Sequence, residues 1–363
     1  MRSLVSIINN QTEYKGDAMT NYKSEIYEQP VVYKKLIEEQ QDHIVTLASH
    51  LRKKQPKSIL LAARGTSDNA ATYAKYLFSS IAGIPTGLAI PSLYTIYEQP
   101  PDIRDGLVVG ISQSGRATDV LAVLKQARLK GVTTLAITNE ENSPMAETAE
   151  FSININAGKE KAVAASKTYT GQLLAIALLT AGWIEDNRML REIGHLPEWG
   201  QEALAQHPAV TKLARWIADT DRLVVLARGY NHCVSYETAL KIKELAYISA
   251  DAYSAADFRH GPVAMLEKDY PVIAVAPQDK SLDDMKDMIN EVKKLDVRLG
   301  IISNNDDVLA SSPHSIQLPK GMPGWLSPII ATMPGQLLAL ELALAKGLDV
   351  DNPRGLKKVT LTY

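Results

Sequence analysis

The sequence is poor in cysteine, in net charge and in long apolar runs, and each shortage excludes a class of protein. Cys233 is the single cysteine of 363 residues, which excludes an intramolecular disulfide and a thiolate metal cluster. A formal net charge of -2 and a pI near 6.4 give no general attraction to nucleic acid or anionic lipid. No apolar run approaches the ~20 residues of a membrane span. These shortages predict a cytoplasmic protein with no metal, no nucleic-acid partner and no membrane partner.

What the chain does contain is a repeat at a constant offset of 164 residues. The matched landmarks are Arg64-Gly65 with Arg228-Gly229, residues 171–175 with 335–339, and Asp105 with Asp269. Each Arg-Gly pair follows an apolar run, and the two five-residue segments share the sequence GQLLA. Because these landmarks keep one spacing with no net insertion, they predict two copies of one domain.

The two copies differ at the positions that could carry chemistry. Ser112-Gln113-Ser114-Gly115 of the first copy corresponds to Ala276-Pro277-Gln278-Asp279 of the second. Conversely, Glu244 and His260 of the second copy correspond to Ser80 and Ile96 of the first. This divergence predicts one site assembled from both copies rather than two equal sites.

Short apolar runs alternate with helical patterns along the chain, which is typical of an α/β fold with a parallel sheet. Strands are expected at 58–64, 107–112, 133–138 and 151–156, more weakly at 86–90, and again near 222–228, 271–276, 298–303 and 315–318. Helices are expected at about 68–82, 117–130 and 166–183, and near 233–248, 281–295 and 328–346. The stretch from about 184 to 207, with Gly194, Pro197 and Gly200, is interpreted as the connection between the copies.

The segments outside the two copies are expected to differ in kind. Residues 1–53 comprise a leader followed by a helical segment, and we expect Met19 to be the native start, with residues 1–18 outside the fold. The first domain is placed at 54–190, the second at 205–348, and a C-terminal tail at 349–363.

Two loops of the first copy carry small hydroxyl residues directly after a strand. Ser112-Gln113-Ser114-Gly115 enters one helix and Gly65-Thr66-Ser67 enters another, so backbone N–H groups, hydroxyls and a helix dipole can meet an anion. The alternative is ordinary capping, because strand-to-helix turns favour Ser, Thr and Gly. Replacement of both loops in the second copy favours phosphate binding. Neither a Walker loop nor a dinucleotide fingerprint is present, and we expect no cofactor.

The second copy supplies acid-base candidates. Glu244 lies on a predicted helix among apolar neighbours, and His260 precedes Gly261-Pro262; a carboxylate and an imidazole are the usual pair for moving protons at neutral pH. Glu244 could instead be an exposed carboxylate paired with Lys241 or Lys243. His260 could equally be a loop residue satisfied by backbone.

Together these segments resemble the sugar isomerase (SIS) family. The motifs are Gly65-Thr66-Ser67, Ser112 to Gly115, Val163-Ala164-Ala165-Ser166-Lys167, Ala239 to Glu244, His260-Gly261-Pro262, and the tail Asp351 to Thr360. More narrowly, they are similar to the isomerase half of glucosamine-6-phosphate synthase and most closely to the stand-alone glucosamine-6-phosphate deaminases. The resemblance implies two tandem SIS domains, each a flavodoxin-like parallel sheet flanked by helices, with N-terminal helices and a C-terminal tail.

The resemblance also implies a role for each matching position. Ser67, Ser112, Gln113 and Ser114, beside Thr66, resemble the hexose phosphate contacts, and Val163 resembles a residue that lines the sugar. The synthase's phosphate-contacting threonine aligns with Ala117, which leaves Thr118 as the candidate replacement. Glu244 resembles the base that carries a proton between C1 and C2. Lys241 resembles a lysine near the reactive carbons. Lys358 resembles the lysine that closes over the open-chain sugar and can form an imine with the ketose. His260 resembles the ring-opening residue, which in relatives comes from the neighbouring subunit and implies a homodimer.

Several reactions remain open for a hexose 6-phosphate or amino sugar 6-phosphate substrate. Glutamine-dependent synthesis is not expected, because it requires an N-terminal cysteine nucleophile and Cys233 lies within the second copy. Deamination of glucosamine 6-phosphate to fructose 6-phosphate and ammonia is favoured by residues 157–167 and 355–360. The alternatives are a fructosamine-6-phosphate deglycase, an aldose-ketose isomerase and a phosphosugar-binding regulator. Residues 1–53 are too mixed in charge to resemble the DNA-binding helices of such regulators.

Overall fold

The computed structural model describes residues 19–358, which form two copies of one α/β unit, each built on a five-stranded parallel sheet. The first sheet contains β1 (Ser58–Ala62), β2 (Thr86–Leu88), β3 (Gly106–Ile111), β4 (Thr133–Thr138) and β5 (Phe151–Asn154). The second contains β6 (Arg222–Ala227), β7 (Ser249–Ser254), β8 (Pro271–Val275), β9 (Arg298–Ser303) and β10 (Ser315–Gln317). The expected leader, residues 1–18, and the end of the expected tail, residues 359–363, lie outside the described residues.

Both sheets have the same strand order, which confirms the predicted α/β repeat. The order is β2-β1-β3-β4-β5 in the first sheet and β7-β6-β8-β9-β10 in the second, and neighbouring strands are parallel. The chain runs outward from β1 in one direction and from β3 in the other. Such a reversal opens a crevice at the carboxyl ends of the two strands, where ligands bind in open parallel sheets.

Helices cover the sheets and fill the space between them. In chain order they are α1 (Asn21–Tyr27), α2 (Gln29–Lys53), α3 (Thr66–Ser80), α4 (Ser92–Thr95), α5 (Thr118–Leu129), α6 (Pro144–Thr148), α7 (Lys167–Ile184), α8 (Asn187–Ile193), α9 (Leu196–Leu204), α10 (His207–Ile217), α11 (His232–Ala246), α12 (Ala255–Arg259), α13 (Leu282–Lys293), α14 (Asp306–Leu309) and α15 (Ser327–Ala345). Helices α7 and α15 are buried along nearly their whole length.

One apolar core joins the two copies. In β3, Leu107 and Val109 point into this shared core, whereas Val108 packs on the outer face of the first sheet. The second sheet repeats the alternation, with Val225 in the shared core and Val224 in a separate outer cluster. Side chains alternate because successive residues of a strand face opposite sides. The two copies are therefore packed face to face through helices and not joined end to end.

The repeat extends to the backbone of single residues. Asp105 and Asp269 each precede a strand, and both adopt the left-handed conformation, with φ of 61° and 63°. Aspartate tolerates this conformation better than most residues because its short side chain bonds locally. The landmarks that revealed the repeat in the sequence thus mark the same turn in both copies.

The structure adds detail to the sequence-based expectations and includes elements that they lack, among them the short helices α4, α6, α12 and α14. The N-terminal helical segment is divided at Glu28 into α1 and α2, because Pro30 can begin a helix but cannot continue one. The expected connection at 184–207 contains α8, α9 and the start of α10, and Pro197 lies in the first turn of α9. Strand β7 was missed, since its sequence SADAYS has small residues and little apolar signal.

One helix has the length and the apolar composition of a membrane span. Helix α15 is long and apolar enough to cross a membrane by length and composition, yet 89% of its most apolar window is buried inside the protein. Burial on all sides is the property of a core helix. Its apolar composition therefore reflects its place at the centre of the shared core.

The tail that follows α15 returns to the N-terminal helix. Asp351 Oδ2 accepts the backbone N–H of Asn21 at 2.8 Å, and Asp351 Oδ1 accepts that of Tyr22 at 3.0 Å. Farther along, the backbone N–H of Arg354 donates to the Tyr247 hydroxyl at 2.7 Å, and its guanidinium lies 4.0 Å from the ring centroid. Tyr247 ends α11 in a left-handed conformation. The tail is thus fixed to α1 and to α11 before it reaches its last described residue.

Candidate active site

The loop after β3 presents an anion-binding surface at the crevice between β1 and β3. Thr138 Oγ1 and the backbone N–H of Asn139 both donate to the carbonyl of Gln113, at 3.3 and 3.1 Å. No acceptor within residues 19–358 bonds the backbone N–H of Gln113 or Ser114. Helix α5 begins just beyond this loop, so these free donors lie near the positive end of a helix dipole. The loop therefore has the donors that a phosphate group requires.

Gly115 allows this loop to turn. Its φ is +60°, and a Cβ placed on it would lie 2.2 Å from Ser143 Oγ. Glycine is the one residue without a Cβ, so it alone meets both conditions. The loop geometry is consequently built into the sequence Ser112-Gln113-Ser114-Gly115. Thr118 is the first residue of α5 and is half-buried.

The second hydroxyl loop lies on the neighbouring strand. Because β1 and β3 are paired, Thr66 and Ser67 at the start of α3 follow the strand beside the one that carries Ser112. Ser67 is buried, and its Oγ accepts a hydrogen bond from Gln172 Nε2 at 3.1 Å. A hydroxyl that accepts one bond keeps its own proton available to donate. The two loops together can contribute hydroxyl and backbone donors to one anion.

The equivalent loop of the second copy carries a carboxylate instead of a glycine. Asp279 replaces Gly115 in the equivalent loop, and its carboxylate accepts from the backbone N–H and hydroxyl of Ser281, at 2.7 and 2.6 Å. Burial raises the pKa of Asp279, opposed by these bonds. A carboxylate at this position repels a phosphate, and it already accepts from the loop donors that a phosphate would need. We therefore expect one anion site per chain.

Helix α11 carries three charged residues on one face. Glu237, Lys241 and Glu244 are spaced four and three residues apart and so lie along the same side of the helix. Lys241 Nζ donates to Glu244 Oε2 and lies 3.6 Å from Glu237 Oε1. The side chains of Lys241 and Glu237 are each 1% exposed, whereas that of Glu244 is 21% exposed. The predicted partner of Glu244 is thus Lys241 and not Lys243.

Lys241 remains charged because it lies between the carboxylates of Glu237 and Glu244. Burial opposes the charge of Lys241, but Glu237 and Glu244 outweigh burial and raise the pKa of this lysine. Burial raises the pKa of the Glu237 carboxyl, while Lys241 and Asn69 act in the opposite direction. No donor within residues 19–358 bonds Glu244 Oε1. Glu244 therefore presents one oxygen to the site while Lys241 holds the other.

Glu237 joins this helix to the first copy. Its Oε2 accepts from Asn69 Nδ2 at 2.8 Å, and its Oε1 accepts from Thr66 Oγ1 at 3.3 Å. Both donors lie in the first turn of α3, next to the candidate phosphate residue Ser67. A continuous chain of polar contacts thus runs from the hydroxyl loop of the first copy to Lys241 of the second. The structure brings the two groups of sequence-predicted residues into one site.

The tail brings Lys358 to the loop that carries Val163, the residue predicted to line the sugar. Lys358 Nζ donates to Glu160 Oε2 and to the carbonyl of Ala162, both at 2.7 Å. Val163, the predicted sugar-lining residue, follows Ala162 directly and is half-buried. Glu160 is fully buried and also accepts from Thr168 Oγ1 at 2.8 Å. The ammonium of Lys358 is therefore held by the same loop that carries Val163.

Helix α1 closes the site from the N-terminal side. Glu25 accepts the backbone N–H groups of Lys161 and of Ala162, the latter at 3.3 Å. The buried hydroxyl of Tyr22 has no hydrogen-bond partner in the described part of the chain. Burial, together with Glu237, Glu244 and other carboxylates, raises the pKa of Tyr22. This helix thus shares the acidic environment of the site.

His260 is the predicted residue that the structure leaves apart from the others. It is exposed and follows α12 directly, and its backbone N–H donates to Asp257 O at 3.1 Å. No hydrogen bond or ion pair joins it to Glu244 or Lys358. Among residues 19–358, no three His, Cys, Asp or Glu side chains cluster as a metal ion would require.

Sequence reasoning missed the residues that hold the predicted ones in place, namely Glu160, Glu237, Asn69 and Gln172. A signal existed for Glu237, because its spacing from Lys241 and Glu244 puts three charges on one face of the helix. A signal also existed for Glu160, which lies in the segment 157–167 that carries the family resemblance. Asn69 and Gln172 touch their partners only across the fold, so spacing gives no indication of them.

Comparison with known proteins identifies the same family in both copies. A family model described as the SIS domain matches residues 51–182 and 216–346. The glutamine--fructose-6-phosphate aminotransferase [isomerizing] of Legionella pneumophila (strain Lens) is 37% identical over 345 residues, which cover 92% of this chain and 57% of that protein. The same enzyme of Salmonella typhi is 35% identical over 361 residues, 95% of this chain and 59% of that one. The chain thus spans somewhat more than half the length of these relatives.

Solved structures show the same architecture. The C-terminal domain of glucosamine-fructose-6-phosphate aminotransferase from Francisella tularensis superposes with a TM-score of 0.84 at 29% identity, covering 94% of this chain and 100% of that one. Glucosamine-6-phosphate deaminase from Thermotoga maritima superposes with a TM-score of 0.75 at 23% identity, again over 94% and 100%. The second likeness extends to the fold alone. With both halves matched by the family model, the chain belongs to the SIS-domain family.

Proposed function

We propose that the protein is an isomerising glucosamine-6-phosphate deaminase, which converts glucosamine 6-phosphate and water to fructose 6-phosphate and ammonia. The observation that carries the proposal is the chain of contacts from Thr66 through Glu237 to Lys241 and Glu244. These contacts support the proposal, because a carboxylate and a cation close to anion-binding donors are what proton transfer beside a carbonyl or imine requires.

Each group has a step in this reaction. The two hydroxyl loops hold the 6-phosphate, and this distant binding orients C1 and C2 of the open-chain sugar. Glu244 Oε1 removes the proton from C2, which gives an enolamine, and returns a proton to C1, which gives the imine of fructose 6-phosphate. Water then hydrolyses the imine and releases ammonia. Lys241 stabilises negative charge that develops during proton transfer.

The remaining predicted residues complete the proposal. Lys358 closes the sugar side of the site and shields the intermediates from bulk water. His260 opens the sugar ring, and because it is exposed and forms no hydrogen bond or ion pair with Glu244 within one chain, we propose that it acts on the substrate of a partner copy in a homodimer. Cys233 is buried, and burial raises the pKa of its thiol to about 12. That thiol is therefore unsuited to attack glutamine. We place the reaction in the cytoplasm.

The test is incubation with glucosamine 6-phosphate in deuterium oxide, followed by measurement of ammonia, fructose 6-phosphate and deuterium at C1. The Glu244→Gln variant should lose deuterium incorporation and ammonia release by about 100-fold or more, while retaining phosphate affinity. The matched control is Glu267→Gln, which removes an exposed carboxylate paired with Arg222, and it should behave like the wild type.

Other outcomes would identify the alternatives. Turnover of fructosamine 6-phosphate in place of glucosamine 6-phosphate would indicate a deglycase. Interconversion of aldose and ketose phosphates without ammonia would indicate a plain isomerase. Tight binding of the sugar phosphate with no exchange at C1 or C2 would indicate a regulator. Exchange at the wild-type rate in Glu244→Gln would mean that the base is another residue.

A further inference from the structure

The segment that ends in His260 is clamped in a way that the first copy does not share. Arg259 is the last residue of α12, and its guanidinium lies against α13. Nη1 donates to Asp284 Oδ1 at 2.6 Å and Nη2 to the Asp284 carbonyl at 3.1 Å. Nε donates to Glu291 Oε2 at 3.1 Å. Three N–H groups of one planar guanidinium are thus fixed by two residues, a geometry that a lysine cannot reproduce.

Asp284 is in turn held by the sheet. Arg228 follows β6, and its Nε forms an ion pair with Asp284 Oδ2 at 3.0 Å. Arg228 Nη1 donates to Ser254 Oγ, at the end of β7, at 2.9 Å. Because Ser254 directly precedes α12, the clamp fixes both ends of that helix. We name this set of residues, Arg228, Ser254, Arg259, Asp284 and Glu291, the Arg259 clamp.

The clamp matters because helix α12 is too short to hold its position by itself. Helix α12 has five residues, too few to be stable through its own hydrogen bonds. Ala255 and Phe258 bury one face of it in the outer core of the second copy, but apolar contacts on one face do not fix the polar face of the helix. Gly261, directly after His260, has a φ of 142° and no atom within 4 Å of a built Cβ. Arg259 therefore supplies the second fixed point that defines where His260 lies.

The first copy is an internal control. The positions equivalent to Arg259, Asp284 and Glu291, at the offset of 164 residues, are Thr95, Val120 and Ala127. None of these three side chains carries a charge, and the residue equivalent to His260 is Ile96. Arg64, the counterpart of Arg228, pairs with Asp119, but helix α4, the counterpart of α12, has neither the contacts of Arg259 nor the imidazole. The clamp occurs only in the copy that has a proton-transfer candidate to position.

We propose that Arg259 is the positioning residue of His260, so that the clamp sets the orientation of the imidazole towards the sugar ring, including a ring bound by a second copy of this chain. The proposal rests on the proposed function for the role of His260. Arg259 itself touches no substrate. Its effect reaches the reaction through the backbone of α12.

The test is a double-mutant cycle of Arg259→Met and His260→Ala. Arg259→Met should lower kcat by about 10- to 100-fold, as a small misplacement of a reacting group does, with KM for the sugar phosphate nearly unchanged because the phosphate loops lie in the first copy. In the His260→Ala background the same substitution should have little further effect, since additivity fails for residues that act as one unit. Arg259→Lys should restore only part of kcat.

Arg298→Met is the matched control. Arg298 donates to the carbonyls of Asp269 and Trp216, at 2.8 and 3.1 Å, and pairs with Asp219. It thus has the same type of clamp at the amino-terminal end of β9, far from His260. Its loss should leave kcat unchanged.

A second readout is independent of turnover. Amide hydrogen exchange of residues 255–261 should be faster in Arg259→Met than in the wild type and unchanged in Arg298→Met. Unchanged exchange in Arg259→Met would overturn the proposal, as would an equal fall in kcat in the His260→Ala background. By contrast, wild-type activity of His260→Ala would refute the role of His260 in the proposed function. The exchange data would then still decide whether Arg259 fixes the segment.

Discussion

Replacing Glu160 with glutamine should release the tail while leaving the surrounding loop folded. Glu160 Oε1 accepts the backbone N–H groups of Ser166 and Thr168, at 2.8 and 3.1 Å. An amide oxygen can accept both of these bonds. The other oxygen accepts from Lys358 Nζ at 2.7 Å and from Thr168 Oγ1 at 2.8 Å. An amide NH₂ at that position can donate to the Thr168 hydroxyl, which also accepts, but it faces the ammonium of Lys358 donor against donor. The substitution therefore removes the contact with Lys358 selectively.

The magnitude follows from the contact that is lost. A hydrogen bond to a charged group contributes about 1.5–3 kcal/mol, and here the acceptor is fully buried while the lysine side chain is 28% exposed. Lys358 also keeps its 2.7 Å bond to Ala162 O, so we expect a loss of about 2 kcal/mol. At about 1.4 kcal/mol per factor of ten, the docked state of the tail should become about 30-fold less populated relative to the free state.

Two measurements report on the docked tail. Amide hydrogen exchange of residues 349–358 should be faster in Glu160→Gln, and borohydride should trap less of the imine between Lys358 and a ketose phosphate. The matched control is Glu150→Gln, because Glu150 accepts from Lys54 at a similar 2.6 Å but lies at the amino-terminal edge of the first sheet. The control should leave both signals unchanged.

The reasoning would be refuted by a folded Glu160→Gln protein whose tail exchanges at the wild-type rate. That result would mean that Asp351 and Arg354 hold the tail without the help of Lys358. A loss of the folded state would point instead to Glu160 as a structural residue. Urea titration of both variants distinguishes these two outcomes.

Two further predictions concern single residues. Gly115→Ala should lower the free energy of unfolding by about 2 kcal/mol or more. A left-handed alanine costs roughly 1–2 kcal/mol, and its Cβ would lie 2.2 Å from Ser143 Oγ. The control is Gly131→Ala, which has a φ of +70° and open space around it and should show only the backbone cost. For His232, burial lowers the pKa from 6.5, so the native state binds this proton less tightly than the unfolded chain. The free energy of unfolding should therefore fall as the pH drops below 6.5, and urea titrations between about pH 5 and 7 on His232→Gln should lack that part of the decrease.

The fold was largely predictable because its signals are local. The apolar runs of β1, β3 and β4 are bounded by turn residues, and the constant offset between Asp105 and Asp269 predicts the register of the two copies. Strand β7 was not predicted because the small residues of this edge strand give little apolar periodicity. The helices within 184–207 were not predicted because glycine and proline indicate a turn as readily as the start of a helix.

The candidate site was predictable in its hydroxyls and charges but not in its connections. Ser112 and Gly115 follow a strand, so their place at the sheet edge follows from the chain direction alone. The contact of Asn69 with Glu237 joins residues 168 positions apart, and it depends on how α3 and α11 pack. Likewise, Glu160 meets Lys358 only because the tail crosses the molecule. Such pairings are decided by tertiary packing, which no local pattern encodes.

The bonds from Asp351 to the first turn of α1 have a consequence for the order in which the protein matures. Asn21 and Asp351 are separated by 330 positions, so a ribosome must translate almost the whole described chain before this cap can form. Closing so long a loop is slow compared with forming a helix. The first turn of α1 should thus be among the last parts to become protected during refolding. A newly made chain would accordingly complete this part of its structure only after residue 351 has been translated.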